Sequence, residues 1–163
     1  MAEAEHLPYE IRGNRVARIS VEEVEQRAKR FCKLFGVTKK TRHNFAAFIE
    51  FLSTRNICVD PIDDSEWLWV TDAICSPETF TILVPLSLYL KACSGNEMAI
   101  STLCHEIGHL VLAHKAVLHN AKSAKPSKEE DAEWQADMFA DYVAARMGIS
   151  LSRQLRLDFD GLK

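Results

Sequence analysis

His105, Glu106 and His109 stand in the order H-E-I-G-H. The two histidines are four residues apart, so on a helix they share one face, with Cβ atoms about 6 Å apart. Two imidazoles placed this way can converge on one zinc ion. Glu106 flanks the same face, where its carboxylate can act on a water as general base. Around them, Leu103, Cys104, Ile107, Gly108, Leu110 and Val111 carry no formal charge. Three polar side chains in so apolar a stretch are costly unless they have partners. Gly108 costs about 1 kcal/mol in a helix interior relative to alanine, which implies close approach by a neighbouring element.

A catalytic zinc takes three protein ligands, so the two histidines leave it one short. A further histidine six residues on would complete one known pattern, but that position is Lys115. His114 and His119 fall at other offsets and read as surface residues. An acidic ligand from a second helix is the alternative. Glu133, Asp137 and Asp141 recur every fourth residue beside Ala136 and Ala140, small residues that let a helix approach closely. Glu133 is taken as the third ligand, with Asp137 accepting the free ring N–H of a liganding histidine. Glu129, Glu130 and Asp131 suit a helix N-terminus. If one of them is the ligand instead, the assignment shifts by about one turn.

These side chains need helices to hold them. Ile100, Leu103, Ile107, Leu110 and Val111 predict a helix from Met98 to about His114, apolar around much of its circumference and therefore buried. Ser127-Lys128-Glu129-Glu130 is a capping-box signature, and Ala132, Ala136, Phe139, Ala140 and Val143 predict a long helix to about Met147. Upstream, Ser20-Val21-Glu22-Glu23 opens a helix that Gly36 can end, and Phe45, Phe48, Ile49 and Leu52 stripe another over 41–54. Between these pairs lie short strand-like runs at 57–62, 67–71 and 79–84. The expected class is α+β, mostly helical, with a short antiparallel sheet beside the H-E-x-x-H helix. The expected organisation is a loose arm over 1–18, one domain over 19–148 and a tail over 149–163. The strand ending at Pro85 offers an edge for an extended substrate.

With 163 residues and 47% hydrophobic content, the chain is long enough to bury a core without disulfides. Its five cysteines form no C-x-x-C pair. The net charge of −3 gives no electrostatic case for nucleic acid or an anionic membrane. Lys39, Lys40 and Arg42 form the one basic cluster of note, read as a solvated face. The start, MAEAEHLPYE, lacks the apolar core of a signal peptide, and no run approaches the ~18 apolar residues of a membrane span. A soluble, cytoplasmic protein is expected.

The stretch L-C-H-E-I-G-H-L-V-L-A-H, followed after a loop by E-W-Q-A-D-M-F-A, resembles the ImmA/IrrE-type zinc metallopeptidases. The likeness is clear over about residues 98–144. It implies a small zincin-like, gluzincin-like domain binding one Zn2+ through His105, His109 and Glu133. It implies Glu106 as general base and Asp137 as a supporting residue. A second electrophile for the oxyanion would come from Tyr142, His114 or His119. Family members occur mostly in bacteria, phages and other mobile elements. The likeness implies a protein substrate, with helix-turn-helix repressors and toxin–antitoxin partners as the known kinds. After Ala140 the chain reads D-Y-V-A-A-R-M-G, where family members continue into an apolar stretch ending in Met-Pro. The competing expectation is a non-catalytic module that uses zinc to stabilise a protein-binding surface.

Overall fold

The computed structural model describes residues 8–69, 71–115 and 125–150. Helix α1 (Val21–Leu34) begins where the Ser20 hydroxyl accepts the Glu23 amide at 3.2 Å. The return half of the capping box is replaced by a Glu23–Arg27 pair one turn on. Val24, Ala28, Phe31 and Cys32 form its buried face. Gly36, at φ +62°, turns the chain away, a conformation glycine adopts without steric cost. The helix expected from Thr41 starts as a 3₁₀ turn, Thr41–Asn44, because Asn44 leaves the helical region at φ −142°. Helix α2 (Phe45–Ser53) follows and buries Phe45, Phe48, Ile49 and Leu52.

Strands β1 (Cys58–Ile62), β2 (Ile74–Ser76) and β3 (Thr81–Pro85) form one sheet in the order β1-β3-β2. β2 and β3 are antiparallel, as expected, but β1 runs parallel to β3, so the sheet is mixed. β3 is therefore the central strand. Over Thr81–Leu83 it has a neighbour on both sides, whereas Val84 and Pro85, where an edge was expected, pair with β1 alone. Pro61 is tolerated because β1 lies at the sheet edge. The described residues of the β-rich run at Trp67 form no strand: Trp67 is buried, and its indole N–H bonds the Thr71 carbonyl at 2.9 Å. Helix α3 (Leu86–Cys93), which the sequence reading missed, starts directly after Pro85.

Helix α4 (Glu97–Val111) is capped by Asn96, whose side chain accepts the Ala99 amide. The Ser127/Glu130 capping box is real but closes a 3₁₀ turn, Lys128–Glu130. Helix α5 (Ala132–Arg146) starts after it, with Asp131 as its cap. α4 and α5 pack against each other at Gly108. A Cβ there would lie 3.1 Å from Phe139 Cδ1 and 3.2 Å from the Ala136 carbonyl oxygen. Any side chain at 108 would push α5 away from α4, and the candidate site spans that seam.

Of the expected arm, residues 8–18 are described, and they form an extended strap against α5. The Val16 amide bonds the Glu130 carbonyl, Ile19 bonds that of Glu129, and the Ala132 amide bonds that of Asn14. Arg15 pairs with Glu130 and Arg18 with Glu129. In the basic cluster, Arg42 pairs with Glu97 at 2.9 Å. At the far end Ile149 is buried in the core, while the tail from 151 lies outside the described residues. No helix among the described residues is long and apolar enough to cross a membrane.

Candidate metal centre

α4 presents His105 and His109 one turn apart, and α5 presents Glu133 and Asp137 one turn apart, across the Gly108 seam. His105 Nε2 lies 2.9 Å from Glu133 Oε2 and 3.1 Å from His109 Nε2. His109 Nε2 is 3.3 Å from Glu133 Oε1. One ligand atom from each of the three lies within 4.8 Å of the others. Two imidazole nitrogens and a carboxylate form a donor set that suits zinc. Among the described residues the cluster has three members and no fourth.

The remaining ring nitrogens are also held. His105 Nδ1 is 2.8 Å from Asp137 Oδ1, so that nitrogen carries a hydrogen and Nε2 is turned toward the cluster. Asp137 in turn accepts from Arg12 Nη1 at 3.0 Å. His109 Nδ1 faces His114 Nδ1 at 2.8 Å, and His114 Nε2 faces Gln135 Oε1 at 2.7 Å. His114 is thus half-buried and engaged at both nitrogens. α4 stops at Val111, and Ala113, at φ +52°, folds the chain back so that His114 meets His109. His114 is hydrogen-bonded on both nitrogens, which leaves it unsuited to an oxyanion. Tyr142 is nine residues past Glu133, about two and a half turns, and so on the opposite face of α5. It packs on the core with Arg146 over its ring. His119 lies outside the described residues.

Burial shapes the electrostatics. It opposes protonation of His105, but the bonds to Asp137 and Glu133 outweigh it and push the imidazole up to about 9. The bond from His105 holds Glu133 far below the usual carboxylate range. Desolvation pushes His114 down to about 4. It raises Glu106 too, with further contributions from Glu133 and Asp72 against the opposing histidines. Among the described residues no hydrogen bond or ion pair engages the Glu106 carboxylate. Cys75 on β2 feels it: burial and the Glu106 charge push that thiol up to about 12.

The metal-free protein should therefore lose stability in alkali. The raised His105 contributes fully below its unfolded value of about 6.5, and the contribution fades as pH rises through about 9. The ceiling is about 3 kcal/mol, and the Glu133 shift is the same pair seen from its other side. Urea unfolding with chelator present, compared at pH 6 and pH 9.5, measures it. Equal midpoints would show that His105 is not held between the two carboxylates.

Asp131 takes the helix N-terminal place read for it, as the cap of α5, but its hold on the strap, and the places of Gly13 and Gln135 beside the cluster, were not legible in the sequence. Asp131 is fully buried and accepts from Tyr9 Oη, the Arg12 and Gly13 amides and the Glu133 amide. It fixes both the strap and the first turn of α5. Gly13 lies directly against Glu133.

The IrrE N-terminal-like domain family of peptidases matches residues 76–149. That span runs from the end of β2 through α5 and contains the whole ligand cluster. The strap, α1, α2 and β1 lie outside it. No curated protein and no solved structure matches the chain.

Proposed function

We propose that this chain, whose residues 76–149 belong to the IrrE N-terminal-like peptidase family, is a zinc-dependent endopeptidase acting on a protein substrate. The observation that carries the reading is Glu106. It is a half-buried carboxylate set against three convergent ligands, engaged by no bond among the described residues, and with its basicity raised by burial. A structural metal site has no use for such a group and is normally closed by four protein ligands.

His105, His109 and Glu133 would hold the ion. When bound, zinc would polarise the scissile carbonyl and acidify water. Glu106 takes the proton of the attacking water and passes it to the leaving amine. Asp137 keeps His105 turned, and against its burial the bond from His105, with that from Arg12, holds Asp137 below the usual carboxylate range. β2 has its outer side unpaired within the sheet and carries Cys75 against Glu106. An extended substrate would pair along that edge, which brings its backbone past the carboxylate. A transcriptional repressor or a toxin–antitoxin partner is the kind of substrate the family resemblance favours, in the cytoplasm.

The test is zinc content together with cleavage. The zinc-loaded protein should hold one ion and cut an unfolded protein or the repressor encoded beside its gene, and chelator should stop it. One ion bound with no cleavage of any candidate would favour the binding module. No ion bound would remove both readings.

A further inference from the structure

Gln135 is fully buried in α5. Its Nε2 lies 3.0 Å from the Ala17 carbonyl oxygen and 2.6 Å from that of Glu129. Carbonyl oxygens only accept, so both amide hydrogens of Gln135 point to them and the side-chain orientation is settled. Oε1 is then an acceptor aimed at His114 Nε2, 2.7 Å away. His114 must carry its hydrogen on Nε2, and in the neutral ring Nδ1 is left with a lone pair. That lone pair faces His109 Nδ1 at 2.8 Å, so His109 must donate from Nδ1. Its Nε2 is thereby left bare and turned toward His105 and Glu133.

We infer that Gln135 and His114 are positioning residues that fix the hydrogen of His109 on Nδ1 and so aim its Nε2 lone pair at the metal. The inference rests on His109 being a ligand. It is the counterpart of the Asp137–His105 bond, built from neutral groups instead of a carboxylate. Its anchor is backbone: the Glu129 carbonyl lies in the turn before α5, and the Ala17 carbonyl lies in the strap. The orientation of one ligand is thus tied to the docking of residues 9–19, which lie outside the family-matched span.

Two readouts on the full chain test it. In the metal-free protein with ¹⁵N-labelled histidine, long-range ¹H–¹⁵N spectra should show His109 as the Nδ1–H form. Zinc affinity, measured by competition with a chromophoric chelator, should fall about 10–100-fold in Gln135→Leu and in His114→Phe. In both variants His109 should become a mixture of forms while His105 keeps the hydrogen that its Nδ1 gives Asp137. His114→Gln can accept from His109 and donate to Gln135, so it should restore both readouts. Should Gln135→Leu fail to fold, the His114 pair still decides, since that ring sits past the end of α4. A wild-type His109 found as Nε2–H overturns the inference. So does unchanged zinc affinity in His114→Phe with His109 still Nδ1–H. If the wild type binds no zinc but His109 is Nδ1–H, the metal reading fails and the hydrogen-bond chain stands.

Discussion

Glu106→Gln should leave the zinc content unchanged and cut peptide hydrolysis by about 10²–10⁴-fold. The substitution keeps the shape of the side chain and removes its basicity. Glu106 is not one of the three convergent ligands, and among the described residues no hydrogen bond ties its carboxylate to α5 or the strap. Nothing that holds His105, His109 or Glu133 is therefore touched. The loss should fall on kcat, because the missing proton transfer belongs to the transition state and not to substrate binding. Metal analysis of the purified variant and single-turnover cleavage of the same substrate give the two numbers. Full proteolysis by a metal-replete variant would sink the role assigned to Glu106. Loss of the metal would show that it ligates or supports the site instead.

The part of this centre that is legible in the chain is the part written in side-chain spacing. His105 and His109 sit one turn apart, and Glu133 and Asp137 repeat the interval. Helix geometry alone converts that into two facing pairs. Gly108 reads as a place of close approach, and Phe139 and Ala136 are what approaches. His114 reads as a surface residue or an oxyanion candidate, and its contact with His109 is not foreseen, because five residues from His109 is the wrong offset for one helical face. Its place depends on where α4 stops and on the turn at Ala113. The signal that could have found it is a histidine just beyond a helix end whose own last turn carries a ligand.

Elements whose identity rests on pairing were harder. β1 runs parallel to β3, which local alternation cannot reveal, because strand direction depends on how the chain returns through β2. β2 is three residues long, too short to show a period. α3 was missed because Leu86, Leu88 and Leu90 alternate like a strand and follow one directly; its one fully buried residue is Ala92. The strap was opaque for a different reason. Backbone amides do much of its work, at Arg12, Gly13, Val16 and Ile19, and every residue but proline has one.

Gly13 carries the second large effect. Gly13→Ala should weaken zinc binding by about 100-fold or more, beyond what loss of an outer supporting group costs. A Cβ at this position would lie 2.6 Å from Glu133 Cγ and 3.2 Å from Oε1. The glycine is needed for room: its φ is not among the positive values, which among the glycines occur at Gly36, Gly95 and Gly148. Two bodies could give way. The strap is held on both sides of Gly13, by Tyr9, Arg12 and the Gly13 amide on Asp131 and by Asn14 on Ala132. Glu133 is held at one oxygen by His105, with His109 Nε2 beside the other, an arrangement a metal would replace. Moving the strap breaks several bonds to a buried carboxylate, whereas moving Glu133 costs only a ligand. The side chain should therefore yield and leave the histidines with an incomplete site. Chelator competition gives the affinity, and thermal unfolding of the metal-free variant gives the stability. A marked loss of stability with unchanged zinc affinity would show that the strap moves instead. Residues 9–19 would then be packed beside the metal centre without shaping it.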